Sequence, residues 1–227
     1  MFRFNVRTRL IVVYSLVAIL VSGSMAFYAS VKMENKMIKS AKEKLKSDLQ
    51  FGAQYLDQKS PGNWHFEDHK LYKGPVLMEG NFGIVDEIGE LTGDTVTIFK
   101  ADTRVATNVR KEGKRAIGTQ AEPQVAEAVL NQGIEYIGEA DVAGTKNITA
   151  YQPIKDSTGK IIGIWYVGVP ATPYDEASRS FMFAMIWFAL GSILATVAAS
   201  WFIANTVAKP LKVIENAVRQ ASEGDLT

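Results

Sequence analysis

The sequence has 227 residues, of which 47% are hydrophobic, and a formal net charge of +1. It contains no cysteine, and this excludes disulfides, thiolate metal sites and a cysteine nucleophile. The near-neutral charge says nothing about an acidic partner, and nucleic acid is not among the partners that we expect.

Two stretches without charged side chains are long enough to cross a bilayer. The first is Leu10 to Val31, with 22 residues, and the second is Ser180 to Ala208, with 29. As helices with a rise of about 1.5 Å per residue they would measure roughly 33 and 43 Å, against a hydrocarbon core of about 30 Å. We therefore predict a cytoplasmic N-terminus at 1–9, transmembrane helices at 10–31 and 179–208, and an extracytoplasmic domain at 32–178. The predicted location is the inner (cytoplasmic) membrane.

The short flanks at both ends of the chain are basic, which places both ends in the cytoplasm. The basic residues are Arg3, Arg7, Arg9, Lys209, Lys212 and Arg219. Six lysines between positions 32 and 46 oppose this orientation, but long loops translocate largely regardless of their charge. A cleaved signal peptide over residues 1–31 is the alternative. It is disfavoured because the apolar region of a signal peptide usually has only about 7 to 15 residues.

An amphipathic helix is predicted to continue directly from the first span. Its apolar stripe consists of Met33, Met37, Ile38, Ala41, Leu45, Leu49, Gly52 and Leu56. Ser60-Pro61-Gly62-Asn63 ends this helix, because proline lacks an amide proton and glycine tolerates positive φ. A strand is then predicted over 71–78, and a short helix over 82–91 that Gly93 closes.

Five β-rich runs follow in the rest of the predicted domain. A hairpin joins 96–99 to 104–109, and a helix at 123–131 stops at Gly133. Further strands are predicted at 134–142, 147–154 and 160–169. The fold class is therefore α+β, with one antiparallel sheet of about five strands. The leading helix is expected on one face of the sheet and a cavity on the other. Pro170 and Pro173 mark the exit into a helix that begins near Tyr174 and enters the second span.

Several short motifs, in this order along the chain, resemble single Cache sensor domains of bacterial chemoreceptors, which are PAS-like. They are Arg104-Val-Ala-Thr-Asn-Val, Gly118-Thr119, Tyr136-Ile-Gly-Glu-Ala, Tyr151-Gln-Pro-Ile and Gly163-Ile-Trp-Tyr-Val-Gly-Val. The resemblance covers residues 32–178 and implies a small-molecule receptor whose ligand, often an organic acid, lies between the sheet and the loops over one face. No cofactor is implied.

The end of the chain resembles the first part of a HAMP module of a methyl-accepting chemotaxis protein. Pro210-Leu211 matches its start and Glu223-Gly224-Asp225-Leu226 its connector. Leu211, Ile214 and later apolar residues have coiled-coil spacing, which predicts a parallel homodimer. Residues 209–227 would form the first HAMP helix and transmit the signal through Pro210, Leu211, Ile214 and Glu223. The second helix and an output that addresses the chemotaxis kinase complex would follow Thr227.

Candidate ligand-binding residues lie on the predicted strands. Alternation places Arg104, Ala106 and Asn108 on one strand face and Val105, Thr107 and Val109 on the other. Arg104 could bind a carboxylate through two parallel hydrogen bonds. The supporting candidates are Asn108, Arg115, Tyr136, Lys146 and Tyr151, with Thr107 added if the strand bulges. The alternative is that the arginines serve solubility and the tyrosines serve packing.

Two other functions are weighed against the receptor. His65 and His69, with Glu67 and Asp68 between them, could bind a metal if they shared a helix face, but the residues after Pro61 are predicted to be an exposed loop, and no metal site is expected. A membrane-anchored extracytoplasmic enzyme is disfavoured because no nucleophile motif is present. We therefore expect no catalytic residues. A sensor of a histidine kinase or a cyclase remains open, because the same input modules precede those outputs.

Overall fold

The computed structural model describes residues 6–203 and residue 206. The helices are α1 (Val6–Lys59), α2 (Phe82–Thr92), α3 (Pro123–Ala126), which continues into a π-helical turn (Glu127–Asn131), and α4 (Thr172–Ile203). The strands are β1 (Trp64–Glu67), β2 (Lys70–Lys73), β3 (Val76–Leu77), β4 (Thr95–Lys100), β5 (Thr103–Thr107), β6 (Arg110–Lys111), β7 (Lys114–Arg115), β8 (Tyr136–Val142), β9 (Thr145–Lys155) and β10 (Ile161–Pro170). The chain divides into one unit at Asn35–Glu176 and a second made by the residues on either side.

The second unit contains the two apolar helical segments. α1 and α4 are each long and apolar enough to cross a membrane. Large apolar side chains such as Phe27 and Trp187 are exposed in this unit, and the hydroxyl oxygens of Ser22 and Ser192 lie 3.0 Å apart in a hydrogen bond. The predicted transmission residues Pro210, Leu211, Ile214 and Glu223, and the basic residues at both chain ends apart from Arg7 and Arg9, lie outside the described residues.

The first unit contains a five-stranded antiparallel sheet in the order β5-β4-β10-β9-β8. This confirms the prediction of about five strands joined mainly by hairpins. β10 is the central strand, paired with β4 on one side and β9 on the other. β10, the central strand of the sheet, leads through Ala171 into α4, the second apolar helix.

The apolar stripe of α1 packs on one face of this sheet, as predicted, from Ala41 onward. Leu45, Leu49 and Leu56 are fully buried, whereas Met33 is exposed. Trp165 of β10 is the largest side chain in this core, and its indole Nε1 donates a hydrogen bond of 3.0 Å to the carbonyl of Leu49. Gly52 allows this approach, since a Cβ atom there would lie 2.5 Å from Trp165 Cζ2.

An ion pair connects α1 to the start of β4. Lys44 Nζ lies 2.6 Å from Asp94 Oδ1 and 2.6 Å from Asp48 Oδ2. The Asp94 side chain is fully buried, and its second oxygen has no hydrogen-bond partner among residues 6–203. Burial raises the pKa of Asp94 to about 6, although Lys44 acts in the opposite direction. Asp94 is therefore ionised at neutral pH, but it takes up a proton at a higher pH than an exposed aspartate does.

Three local predictions need correction. The strand predicted over 71–78 is the hairpin of β2 and β3, because Gly74 adopts a positive φ of 52° between them. The segment after Pro61, predicted as a loop, begins with β1, and the β1–β2 turn contains Asp68 and His69. The helix predicted over 123–131 has its second half in π-helical form. The short helix and its glycine stop are confirmed as α2 and Gly93.

Replacing Gly52 with alanine is expected to destabilise the protein, because the new Cβ would overlap the Trp165 ring. Overpacking of this kind typically costs about 1 to 3 kcal/mol. Thermal or denaturant unfolding of the detergent-solubilised chain measures the loss. Gly23→Ala is the matched control, since a Cβ atom there meets nothing within 4 Å. Equal stability of the two variants would contradict the proposed close contact.

The free energy of unfolding is expected to contain a component from Asp94 that decreases as the pH rises. The folded-state pKa of about 6 lies above the ordinary 3.8, so the folded protein binds this proton more tightly than the unfolded chain. The component is present below about pH 4 and is lost by about pH 7, a change of about 3 kcal/mol for two pKa units.

Asp94→Asn removes this titration. Its stability relative to the parent protein should therefore increase between pH 4 and pH 7, and denaturant unfolding at the two pH values measures the change. Glu43→Gln, at an exposed position of α1, is the control and should leave the pH dependence unaltered. An Asp94→Asn variant with the pH dependence of the parent would disprove the assignment.

Candidate functional site

The sheet face opposite α1 carries a second apolar cluster, which we call the inner cluster. Its floor comes from the sheet and its cover from the chain between β5 and β8. The members are Phe99, Val109, Ala116, Ala121, Val125, Val129, Ala140, Val142, Tyr151, Ile164 and Tyr166. Residues 116–121 form part of the cover and pair with β5 through hydrogen bonds from the amide of Arg104 to the Thr119 carbonyl and from the amide of Gly118 to the Arg104 carbonyl, both 2.9 Å.

A bulge in β5 decides which side chains reach this cluster. The register shifts between Ile98 and Phe99 of β4, so that Phe99 faces Arg104 while Thr97 faces Thr107. Arg104 and Thr107 consequently share the inner face, which is the arrangement expected for a bulged strand. The predicted grouping of Arg104 with Ala106 and Asn108 is wrong, because Ala106 packs in the core beneath α1.

Arg104 is buried in the inner cluster without an acidic partner. Its side chain is 1% exposed, and the guanidinium carbon lies 4.9 Å from the centre of the Phe99 ring. Nη1 donates to Thr119 Oγ1 at 2.6 Å and to the Gln120 carbonyl at 3.4 Å. Nε and Nη2 have no hydrogen-bond partner within the described part of the chain. These two nitrogens form one edge of the guanidinium plane, the edge that can bind both oxygens of a carboxylate.

Tyr151 contributes a second unsatisfied donor. It is fully buried, its ring lies 6.4 Å from that of Phe99, and its hydroxyl has no hydrogen-bond partner among the residues described. Burial raises the pKa of Tyr151 well above its ordinary range, so the hydroxyl keeps its proton. Burial likewise lowers the pKa of Arg104, a group that nevertheless stays charged in proteins.

Tyr136 and Tyr166 flank Tyr151 in one cross-strand row. Tyr136 of β8 pairs with Tyr151, and Tyr151 with Tyr166 of β10. The Tyr136 hydroxyl donates to the Glu139 carbonyl at 2.7 Å, and the Tyr166 hydroxyl lies 2.9 Å from Thr95 Oγ1. Tyr151 is therefore the tyrosine of this row whose hydroxyl is available to a ligand.

Thr107 and Asn108 are engaged in the structure itself. Thr107 Oγ1 lies 2.6 Å from Thr97 Oγ1, donates to the Val96 carbonyl and accepts from the Val109 amide. Asn108 accepts a hydrogen bond from the Val96 amide at 2.7 Å and donates to the Asp94 carbonyl at 3.2 Å. Both side chains therefore fix the end of β5.

Arg115 and Lys146 do not join Arg104. Arg115 makes a two-point ion pair with Asp86 at 2.6 and 2.7 Å. Its hydrogen bonds hold the pKa of Asp86 below the usual range. It borders a separate open groove of about 350 Å³ with Arg110. Lys146 of β9 alternates with Asn147, so it faces away from the inner cluster, and it lies 3.0 Å from Glu139 in an exposed ion pair.

Sequence reasoning missed Phe99, Thr119 and Tyr166 as parts of the site. Phe99 and Tyr166 alternate with core residues along β4 and β10, so the period of two could have placed them on the inner face. Thr119 lies in the Gly118-Thr119 motif, but its hydrogen bond to Arg104 depends on the pairing of residues 116–121 with β5.

The two histidines occupy a surface hairpin. The His65 ring stacks on Tyr72 at 5.6 Å, and its Nδ1 lies 3.2 Å from the Asn63 carbonyl. His69 lies in the turn that follows β1, with a positive φ of 61°. The described residues contain no group of three histidine, aspartate or glutamate side chains arranged for a metal ion.

Comparison with known proteins identifies the fold. The family described as single Cache domain 3 matches residues 76–181. Together with the N-terminal helix and the five-stranded antiparallel sheet, this match shows a single Cache, PAS-like sensor domain. No curated protein sequence matches the chain.

Solved structures with similarity to the chain include three sensor or ligand-binding domains. The E. coli DcuS sensor domain is 15% identical, with a TM-score of 0.36, and the match covers 64% of this chain and 96% of that one. The V. cholerae histidine kinase DctB sensor domain is 13% identical, with a TM-score of 0.35, and the match covers 69% of this chain and 55% of that one. The ligand-binding domain of the Campylobacter jejuni chemoreceptor Tlp3 in complex with L-valine is 11% identical, with a TM-score of 0.32, and the match covers 68% of this chain and 66% of that one.

Replacing Arg104 with methionine is expected to stabilise the ligand-free protein. The substitution keeps an unbranched side chain but removes a buried charge with two unsatisfied nitrogens. Relief of an unsatisfied buried polar group is worth about 1 to 3 kcal/mol. Arg115→Met is the control with the opposite sign, because it breaks the ion pair to Asp86 and should lower stability by about 1 kcal/mol. Denaturant unfolding measures both, and a destabilised Arg104→Met variant would refute the interpretation.

Proposed function

We propose that this chain is the input part of a transmembrane receptor that binds a small extracytoplasmic organic acid at Arg104. The proposed location is the inner membrane, with α1 and α4 supplying the two spans and the Cache domain outside. The exposed apolar side chains of the second unit support this location, since an apolar surface of that kind is stable in lipid and unfavourable in water.

The observation that carries the proposal is the unsatisfied edge of Arg104. A buried cation without a counter-ion is unfavourable, and the protein supplies hydrogen bonds only to Nη1. A carboxylate bound to Nε and Nη2 would neutralise the charge and satisfy both nitrogens. The hydroxyl of Tyr151 supplies a further donor on the same sheet face. An organic acid is the ligand class that this set of donors fits best.

Signal transmission is proposed to use the helices that adjoin the domain. α1 continues without interruption to Lys59, and β10 leads through Ala171 into α4. A ligand that alters the position of β10 relative to α1 would therefore act on both helices without an intervening flexible linker. The coupling needed for a receptor of this kind is about 1 to 3 kcal/mol.

The output is proposed to be that of a chemoreceptor, with residues 209–227 as the first HAMP helix of a parallel homodimer. A histidine kinase or a cyclase is the alternative output, and any coding sequence found beyond Thr227 would distinguish the three. We propose no catalytic activity for the domain itself. Turnover of a bound acid by the purified chain would contradict that part of the proposal.

Ligand binding is tested by thermal unfolding of the full chain in detergent or nanodiscs with a library of small organic acids. At about 100 times Kd a ligand that binds only the folded state adds about 2.7 kcal/mol of stability, which raises the melting temperature. Arg104→Gln should abolish this increase. Arg110→Gln should retain it, because Arg110 is exposed and donates only to the Gly113 carbonyl. A folded chain that no acid stabilises would refute the proposal.

A further inference from the structure

The charge distribution around Arg104 limits which acids the site could accept. Buried cationic side chains within residues 6–203 are Arg104 and Lys73. Lys73 lies elsewhere, where it pairs with Asp57 at 2.5 Å, donates to the Gly62 carbonyl and sits over the Trp64 ring. The inner cluster therefore offers one positive charge to a ligand.

Besides its hydrogen-bond partners Thr119 and Gln120 and the hydroxyl of Tyr151, Arg104 has apolar side chains and acidic groups around it. The cover contributes aliphatic side chains, among them Val125 and Val129, which are fully buried. Acidic groups occur at the rim, where Glu122 accepts a hydrogen bond of 2.9 Å from the Asp141 amide. Burial is the largest cause of the raised pKa values of Tyr151 and Tyr166. Arg104 opposes the rise at both tyrosines, whereas Glu122 adds to it at Tyr151 and Asp94 adds to it at Tyr166. Among the described residues, the charged groups that act on these two tyrosines are thus one cation and two acids.

We infer that the ligand of this site is a small monocarboxylate with an apolar body, and that dicarboxylates of the same chain length are rejected. This inference rests on the proposed function. One carboxylate binds the free edge of Arg104, and the aliphatic part of the ligand contacts the valines of the cover. A second carboxylate would be placed either among those aliphatic side chains or beside Glu122. It would lose its hydration in both places and gain no cation.

The experiment measures binding of two series of acids to the full chain in nanodiscs by calorimetry. The first series is acetate, propionate, butyrate and valerate, and the second is malonate, succinate and glutarate. Affinity in the first series should increase about fourfold for each added methylene until the space is filled, because a buried methylene contributes about 0.8 kcal/mol. Glutarate should bind at least about tenfold more weakly than valerate, as expected for a buried charge without a partner. Butyramide, which lacks the charge, should bind more weakly than butyrate.

Three variants identify the residues responsible. Arg104→Met should remove binding of every acid, and Arg104→Lys should weaken it, since an ammonium cannot present the planar two-nitrogen edge. Val125→Ala should move the preference toward longer chains by making space in the cover. Arg110→Gln is the control that should leave both series unchanged.

The outcomes separate the inference from the proposed function. Dicarboxylates that bind as tightly as monocarboxylates of equal length, with binding lost in Arg104→Met, would overturn the inference and leave the receptor proposal in place. An affinity that does not depend on chain length would also overturn it. A folded chain that binds neither series would overturn both.

Discussion

The contact between Trp165 and the backbone of α1 determines how the domain is organised. The indole ring lies against Gly52 and donates to the carbonyl of Leu49, so this one side chain of the central strand reaches the backbone of the leading helix. Trp165, the largest buried side chain, therefore lies on the sheet face that α1 covers. Its contact fixes the position of α1 along the sheet and thereby which leucines of the helix are buried. Both helices that leave the domain adjoin this contact, α1 directly and α4 through β10. This continuity is what the proposed signal transmission relies on.

The opposite face depends on a single extra residue in β5. Without the bulge, alternation would place Arg104 and Thr107 on different faces of the sheet. With it, Thr107 closes the strand end by hydrogen bonds, and Arg104 remains inside the cluster, held at Nη1 by Thr119. The pairing of residues 116–121 with β5 supplies that threonine. The site is thus assembled from a strand irregularity and a cover segment, while β9 and β10 provide Tyr151 and Tyr166.

The way in which the site is assembled explains which parts of the fold and of the site could be predicted from the sequence. The long helix, the turn glycines and the five strands follow from hydrophobic period and turn residues, and all are observed near the expected positions. The structure places Arg104 and Tyr151, which the sequence analysis proposed as ligand-binding candidates, on one face of the sheet. The partners of Arg115 and Lys146 were not predictable, since they are Asp86, which is distant in sequence, and Glu139 on an adjacent strand. Strand alternation also misplaced Asn108, because a bulge changes the period at a point that no local residue preference marks.

The two buried charged side chains Asp94 and Arg104 differ in how far other residues of the protein neutralise their charge and bind their polar atoms. Asp94 lies beneath α1, and Lys44 from that helix pairs with it, so the charge of the carboxylate is opposed even though one oxygen has no partner. Arg104 on the other face has hydrogen bonds to neutral oxygens only. The ion pair of Lys44 and Asp94 joins α1 to the sheet, and the two charges compensate each other within the protein. Among the described residues the arrangement at Arg104 is incomplete in charge and in hydrogen bonding, and we propose that an anion from outside the chain supplies the compensation there. The difference between the two charges is why ligand binding is proposed at Arg104, and why Asp94 is assigned to stability.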